Sequence, residues 1–124
     1  MMSFVTRDVA VALIRSVRAP LAQMHRRNRA LADQAMRAAS SILLNIEEGN
    51  QRKGGDRTHL FRIAKGSVEE LRAALLIGVT WGHIEEPREV RALLDRLGRL
   101  LYGLVKPQSS ASSRSRSAST ASTD

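Results

Sequence analysis

Apolar residues recur every three or four positions in four successive segments of this 124-residue chain. That spacing places them on one face of an α-helix, and the two-residue alternation of a half-buried strand is missing. Short polar, glycine-rich or proline-containing breaks separate the segments, and short connections make neighbouring helices run antiparallel. The sequence therefore predicts an all-α fold: an up-down-up-down antiparallel four-helix bundle.

The first segment contains a proline, and its extent depends on how the chain responds to it. The apolar stripe is regular over residues 4–19 and resumes after Pro20 at Leu21 and Met24. A proline inside a helix removes one hydrogen bond and costs about 3 kcal/mol unless the helix bends or restarts. The resumed pattern favours a kinked helix that reaches about Arg26. The alternative is a helix that ends before Pro20.

Residues typical of helix ends delimit the other three segments. Asn28 suits the N-cap of the second helix, and Gly49 suits its left-handed C-terminal residue. Asp56 is placed to cap the third helix, which ends near Trp81. Pro87 suits the first turn of the fourth helix, where no amide hydrogen is needed. Together these boundaries predict one domain over residues 1–107.

Residues 108–124 differ in composition from the rest of the chain. Ser, Thr and Ala dominate, Arg114 and Arg116 lie between serines, and no bulky apolar residue occurs. Such a segment buries too little surface to offset its ordering entropy. We therefore predict a disordered Ser/Arg-rich tail. A solvated extension is the favoured interpretation, and contact with nucleic acid is the alternative.

Polar residues interrupt the apolar faces of the second and third helices. With the turn centred between them, antiparallel partners have numbers that add to about 105, which places Ser41 opposite Ala64. A buried hydroxyl or amide without a partner costs about 1–3 kcal/mol. We interpret four residues as a clamp that sets the helix register rather than as catalytic groups: Ser41, Asn45, Ser67 and Glu70. Gly66 is expected to let the two helix backbones approach closely.

The same two helices carry spaced motifs. One reads Ser41-Ser-Ile-Leu-Leu-Asn-Ile-Glu-Glu-Gly49 and the other Ala64-Lys-Gly-Ser-Val-Glu-Glu-Leu71. Their combination resembles the patterns S-x-x-x-N-I-x-E-G and A-x-G-S-x-x-E-L of the four-helix-bundle proteins of the 23S rRNA intervening-sequence family. The resemblance extends over about residues 30–106 and is absent from the tail. The residues that carry it are Ser41, Asn45, Glu48, Gly49, Gly66, Ser67 and Glu70.

This resemblance implies a small bacterial bundle that self-associates as a homo-oligomer, with a pentameric ring as one form. Distant relatives, the accessory variability determinant proteins of diversity-generating retroelements, are basic pentamers that bind nucleic acid and a reverse transcriptase. Most members have no established biochemical activity, so the resemblance implies a fold and an assembly more than a reaction. The chain departs from the family at Glu47, where alanine is usual.

The positive charge of the chain belongs to its folded part. The net charge is +8, from 20 Lys and Arg and 12 Asp and Glu, and only Arg114, Arg116 and Asp124 of these lie in the tail. An excess of this size favours an anionic partner such as nucleic acid, an acidic protein or a membrane surface. The alternative is that arginine simply keeps the surface soluble, and charge alone does not separate these interpretations.

Two groups of basic residues are the predicted nucleic-acid-binding positions. In a ring-shaped oligomer these basic residues would line a rim or pore. Their contacts with the RNA or DNA backbone would weaken as the salt concentration rises. The large aromatic residues Trp81 and Tyr102 are expected to pack at helix ends rather than stack on bases. The first basic group is Arg26, Arg27, Arg29 and Arg37, and the second is Arg52, Lys53 and Arg57.

Several other classes of function are not expected. The chain has no cysteine, its histidines lack ligand spacing, and no apolar run approaches the roughly 20 residues of a membrane helix. We predict no catalytic residue, no cofactor, no metal, no membrane association and a cytoplasmic location. The predicted function is that of a non-enzymatic, homo-oligomeric bundle that binds nucleic acid. The alternative is a protein-interaction adaptor, for example an accessory subunit of a retroelement reverse transcriptase.

Overall fold

A computed structural model of the chain describes residues 1–107, and the predicted tail, residues 108–124, lies outside the described residues. Each helix packs against the next along the chain, α1 also packs against α4, and α2 and α3 share the most extensive contact. The described part of the chain has no strand, which confirms the predicted all-α, up-down-up-down four-helix bundle. The helices are α1 (Met2–Arg27), α2 (Arg29–Asn50), α3 (Gly54–Thr80) and α4 (Arg88–Val105).

The first two helices meet at a single residue. Helix α1 continues through Pro20 to Arg27, so the alternative in which it ends before the proline is wrong. Asn28 then caps α2 as predicted, because its Oδ1 accepts a hydrogen bond from the Leu31 amide at 3.1 Å. The Asn28 backbone amide donates to the Met24 carbonyl at 2.8 Å, so one residue both ends the first helix and starts the second.

Two predicted helix ends are wrong. Gly49 lies inside α2, and the left-handed glycine of the following turn is Gly54, with φ of 61°. Helix α3 begins at that glycine, with Lys53 as its N-cap, so Asp56 lies in the first turn instead of at the cap. A carboxylate there still faces the positive end of the helix dipole. A left-handed glycine does occur in the connection between α2 and α3, but it is the first residue of α3 and not the last residue of α2.

Gly49 is required for packing rather than for backbone conformation. It is buried, and a Cβ built on it would lie 2.6 Å from Cε1 of Phe61, well inside contact distance. Phe61 is fully buried. The absent side chain therefore lets the aromatic ring of α3 lie directly against the backbone of α2.

The core is built from branched aliphatic residues, and alanines line the contact between α2 and α3. Among the side chains that are completely enclosed are Leu13, Met24, Ile42, Leu71 and Leu97. At the seam α2 contributes Ala35, Ala38 and Ala39, and α3 contributes Ala64 and Ala74, all buried. Small side chains on both helices bring the backbones together and explain why this pair has the most extensive contact.

Three of the four residues of the predicted clamp are joined by hydrogen bonds. The Ser67 hydroxyl of α3 donates to the Ser41 hydroxyl of α2 at 2.8 Å. The Asn45 amide donates to the Ser41 hydroxyl at 3.1 Å and to the Ser41 carbonyl at 2.8 Å. Glu70 is exposed, so its assignment to the clamp is wrong.

The predicted role of Gly66 is also wrong. Gly66 is exposed, and a Cβ built on it would meet nothing within 4 Å. Ser41 pairs with Ser67 instead of facing Ala64, which is a shift of three residues, almost one helical turn. Helical side chains lean toward the N-terminus, so each surface position is covered by a residue about one place further along. Each of the two antiparallel helices contributes an offset of about one residue in the same direction. Together these offsets account for most of the three-residue shift.

Candidate nucleic-acid interface

The predicted basic residues lie at opposite ends of the bundle. Arg26, Arg27 and Arg29 surround the turn between α1 and α2, whereas Arg52 and Lys53 lie in the turn between α2 and α3. Helix α2, which separates these ends, has 22 residues, equivalent to about 33 Å at 1.5 Å per residue. One copy of the chain therefore does not bring the two groups together. Arg37 is exposed on α2 between them.

The two ends differ in their acidic neighbours. The antiparallel order places the connection between α3 and α4 at the same end as Arg26, Arg27 and Arg29. That connection and the start of α4 carry the exposed carboxylates Glu85, Glu86 and Glu89. The opposite end has fewer carboxylates and receives the C-terminus of α4 with Lys106. Both halves are nonetheless positive. Residues 1–14, 40–67 and 97–107, which form the half with the α2–α3 turn, carry eight Lys and Arg and four Asp and Glu, against ten and seven in the other residues up to 107.

A groove between α3 and α4 opens at the end that holds the α2–α3 turn. Its outer part, about 450 Å³, is lined by Arg57, Thr58 and Arg62 from α3 and by Gly103 and Lys106 from the end of α4. Its inner part, about 580 Å³, is lined by Lys65, Glu69 and Arg72 from α3 and by Asp95, Gly98, Arg99 and Tyr102 from α4. We call this surface the basic groove and define it by Arg57, Arg62, Lys65, Arg99, Tyr102 and Lys106.

Four cations of the basic groove have no carboxylate partner within residues 1–107. Arg62, Arg99 and Lys106 are exposed and Lys65 is half-buried, and none of them forms an ion pair. Gly98 of α4 leaves space on the α3 side, because a Cβ built on it would lie 3.5 Å from Nη2 of Arg72. The groove therefore presents unneutralised positive charge beside open volume.

An ion-pair network closes the inner end of the basic groove. Arg72 of α3 contacts Asp95 of α4 at 2.8 Å and Glu69 at 3.4 Å. It also donates to the Leu94 carbonyl at 3.2 Å. This network ties the two helices together and neutralises Arg72. The unpaired cations of the basic groove lie between this network and the α2–α3 turn.

Arg57 has a structural role in addition to its place in the basic groove. Its guanidinium donates to the Gly49 carbonyl at 3.1 Å and lies 4.8 Å from the centre of the Phe61 ring. A cation over an aromatic face is attracted by the ring quadrupole. Arg57 therefore covers the Gly49–Phe61 contact, and its removal would disturb both folding and the charge of the groove.

The prediction that both large aromatic residues pack at helix ends is wrong. Tyr102 is 60% exposed and lies in the basic groove, and Trp81 is 71% exposed at the opposite end. The Trp81 ring stacks on His83, with the ring centres 6.4 Å apart. Tyr102 thus supplies an accessible ring among cations, which the sequence analysis did not anticipate.

Comparison with known proteins identifies the family. The model of the family described as 23S rRNA-intervening sequence protein matches residues 7–103. The chain belongs to the 23S rRNA-intervening sequence protein family. This confirms the resemblance seen in the two sequence motifs.

A solved structure supports the fold of this family member. A protein of unknown function from the S23 ribosomal protein family of Bacteroides thetaiotaomicron superposes with a TM-score of 0.72. It is 21% identical in sequence, and the alignment covers 86% of this chain and 100% of that chain. The similarity shows a shared four-helix fold. No curated protein matches the sequence.

The residues of the 23S rRNA-intervening sequence motif divide between the seam and the surface. Ser41, Asn45 and Ser67 form the hydrogen-bonded clamp, and Gly49 accommodates the Phe61 ring. Glu48, Gly66 and Glu70 are exposed. Internal packing of one chain therefore accounts for only part of the motif. The structure provides no account of Glu48.

The departure from the family pattern at Glu47 has a local explanation. Arg7 of α1 donates to the Glu47 carboxylate of α2 at 2.9 Å, and it also contacts Asp8 at 3.1 Å. The hydrogen bond to Glu47 and its negative charge raise the pKa of the Arg7 guanidinium. Both side chains are about two-fifths exposed, so the pair is expected to add little stability.

Four cations that sequence reasoning missed lie in the basic groove: Arg62, Lys65, Arg99 and Lys106. The signal was present, because Thr58, Arg62 and Lys65 recur at helical spacing on α3, and Arg99, Tyr102 and Lys106 do so on α4. Residues three and four apart share one helix face. Recognising the groove required pairing these two stripes across neighbouring antiparallel helices.

The described residues offer little support for metal or membrane chemistry. No group of three or more His, Asp or Glu side chains in residues 1–107 is arranged to hold a metal ion. None of the four described helices has the length and apolar character that crossing a bilayer requires. The surface chemistry that does stand out in this part of the chain is the positive charge of the basic groove.

Proposed function

We propose that this protein is a non-enzymatic, homo-oligomeric bundle that binds nucleic acid through the basic groove. The observation that carries the proposal is the set of four cations without carboxylate partners, Arg62, Lys65, Arg99 and Lys106, placed along an open groove. Arginine matches phosphate oxygens with two parallel hydrogen bonds, and lysine adds a point charge. Such contacts favour the phosphate backbone of RNA or DNA and carry no sequence information.

The salt dependence of binding tests this proposal. Fluorescence anisotropy with labelled RNA and DNA is measured across a salt series for the wild type and for the triple variant Arg62→Gln, Arg99→Gln, Lys106→Gln. For a single strand, each lost phosphate contact lowers the slope of log K against log salt by about 0.7. We therefore expect the slope of log K against log salt to be smaller in magnitude by about 2 for the triple variant. The triple variant should also lose most of its affinity at physiological salt.

A matched variant separates the basic groove from general charge attraction. Arg26→Gln, Arg27→Gln, Arg29→Gln removes the same three charges at the opposite end of the bundle and should retain most of the affinity. Equal losses in both triple variants would show that the groove is not the binding surface. Absence of binding by the wild type at low salt would reject the proposed function altogether.

Self-association is supported by an exposed stripe on the outer face of α3. Ile63 and Ile77 are 38% and 43% exposed, and the small residues Gly66 and Ala73 lie between them at helical spacing. Glu70, at the centre of the stripe, has no ion-pair partner within residues 1–107. We call these five residues the α3 stripe. A small, apolar helix face with one carboxylate suits contact with another helix.

The surface that would receive the α3 stripe lies between α1 and α2 of a second copy. This apolar groove, about 480 Å³, is lined by Ile14, Val17, Leu21 and Met36, with Arg18 at its rim. Arg18 provides the charge that complements Glu70. Because the stripe and the groove are different surfaces of the same chain, the contact is heterologous, and repeated contacts of this kind close into a ring when the rotation allows.

A single charge in the α3 stripe tests the assembly. Ile77→Lys places an ammonium where apolar contact is proposed, and we expect it to yield a monomer of 13.7 kDa by light scattering while the wild type is larger. Ala92→Lys adds the same charge on an exposed position of α4 and should leave the wild-type mass unchanged. A wild type that is monomeric at all concentrations would contradict the assembly.

A protein-interaction adaptor is the second candidate function, and Trp81 favours it. An exposed tryptophan is typical of residues that dominate binding between proteins, and Trp81 lies at the end of the bundle away from the basic groove. A monomeric wild type in the light-scattering experiment would favour this candidate. The exposed apolar side chains would then be available to a different protein, such as a reverse transcriptase.

A further inference from the structure

Tyr102 is the feature of the basic groove that phosphate binding alone does not explain. Its ring is 60% exposed, whereas Leu94, Leu97 and Leu101 of the same helix are fully buried and its other leucines are at least partly buried. Neutralisation of phosphates requires cations and gains nothing from an aromatic ring. A ring held in the open among cations is suited to stacking on a base, because every base presents a π face.

The spacing of cations around Tyr102 matches one nucleotide and its flanking phosphates. Arg99 lies three residues before Tyr102 on the same face of α4, and Lys106, the C-cap residue four positions after Tyr102, lines the outer part of the groove. At 1.5 Å per residue the two cations are about 10 Å apart along the helix axis. A base stacked on Tyr102 can therefore have a phosphate on each side within reach of a cation.

The opposite wall and the inner end limit what can enter. Arg62 and Lys65 of α3 line the same two stretches of the groove and provide cations across from Tyr102. At the inner end Glu69 and Asp95 place carboxylates around Arg72, and their charge disfavours a phosphate. At the end beside the α2–α3 turn the exposed cations Arg52 and Lys53 outnumber the one carboxylate of the first turn of α3, Asp56.

We propose, on the basis of the proposed function, that the basic groove takes single-stranded nucleic acid and that Tyr102 stacks on one of its bases. Packed helix axes lie about 8–10 Å apart, so the space between α3 and α4 admits one strand. The bases of a duplex are already stacked and paired, and they reach a protein ring only after extrusion from the helix. Binding is sequence-tolerant because stacking does not read base edges.

The experiment compares three labelled ligands of equal length at one salt concentration. They are an oligothymidylate single strand, a hairpin duplex, and an abasic strand that keeps the phosphates without bases. The wild type is expected to bind the single strand most tightly. Tyr102→Leu, which keeps apolar bulk but removes the ring, is expected to weaken single-strand binding roughly five- to hundredfold and to leave abasic-strand binding unchanged. Tyr102→Phe keeps the ring and should bind like the wild type.

The possible failures of this inference and of the proposed function are distinct. Tight binding of the duplex or the abasic strand by the wild type, equal to that of the single strand, would overturn single-strand stacking while leaving phosphate binding in place. Unchanged single-strand affinity in Tyr102→Leu would have the same meaning. Absence of binding to all three ligands would reject the proposed function itself. The exposed position of Tyr102 makes correct folding of both variants the expected control result by circular dichroism.

Discussion

Phe61→Ala is expected to destabilise the bundle by about 3–5 kcal/mol, the range for aromatic residues removed from a core. Phe61 is the largest fully buried side chain and lies at the contact between α2 and α3. Its ring fills the space beside Gly49 and supports the guanidinium of Arg57 from 4.8 Å. Alanine would leave a cavity at this contact and would remove the cation–π interaction.

Urea unfolding followed by circular dichroism measures this loss. Phe4→Ala is the matched control, because it removes the same side chain from a position that is 60% exposed in α1. A surface change of that kind usually alters the free energy of unfolding by no more than about 0.5 kcal/mol. Similar losses for Phe61→Ala and Phe4→Ala would show that Phe61 does not anchor the contact.

Gly49→Val is expected to lower the free energy of unfolding by about 3 kcal/mol, toward the upper end of the cost of overpacking a core. The Cβ alone would lie 2.6 Å from the Phe61 ring, and the two methyl groups add further bulk. Glycine is the poorer helix former of the two residues. Helix propensity therefore opposes the predicted direction, which makes a large destabilisation diagnostic of the steric conflict.

Gly55→Val serves as the control for this steric conflict. It makes the same substitution within a helix, but at an exposed position where a Cβ meets nothing within 4 Å. We expect its folding stability to be unchanged or slightly raised. Phe61→Leu combined with Gly49→Val should cost less than the sum of the single changes, because a smaller side chain relieves the conflict. Strict additivity would mean that residues 49 and 61 do not conflict.

The sequence was sufficient for the fold because its signals were local and repeated. The three- and four-residue spacing of apolar residues predicted all four helices, and the Asn28 cap was identified from the position of one side chain. Such signals depend on residues within one or two turns of each other. Both helix–helix connectivity and direction followed from short turns.

The structural roles of individual glycines were harder to predict from the sequence than the helices. Gly49 was predicted to end a helix and Gly66 to allow close packing, yet Gly49 makes the close contact and Gly66 is exposed. A glycine in a sequence reveals the absence of a side chain but not what occupies the space. For Gly49 the deciding neighbour, Phe61, lies on another helix, and its position depends on a register that was off by three residues.

The candidate site was predicted only in part for a similar reason. Clustering along the chain identified Arg52, Lys53 and Arg57 at the end of the bundle where the basic groove opens, and it also selected Arg26, Arg27 and Arg29 at the other end. The basic groove is formed by two helices separated in sequence by the whole α3–α4 connection. Its cations are spaced by helical turns, so they do not form a visible run of charge.

The clamp between Ser41 and Ser67 also determines which parts of the molecule can move. If α3 slid along α2 by one turn, about 5.4 Å, so that Ser67 faced Ala38, its hydroxyl would lose its partner at a cost of about 1–3 kcal/mol. Ser41 would then keep only the bond from Asn45. The Phe61 ring against Gly49 blocks the same displacement. Small sliding of packed helices is a common way for proteins to change shape, and this pair lacks that freedom. Helices α2 and α3 therefore behave as one rigid hairpin, and adjustment of the groove width to a ligand falls to α4.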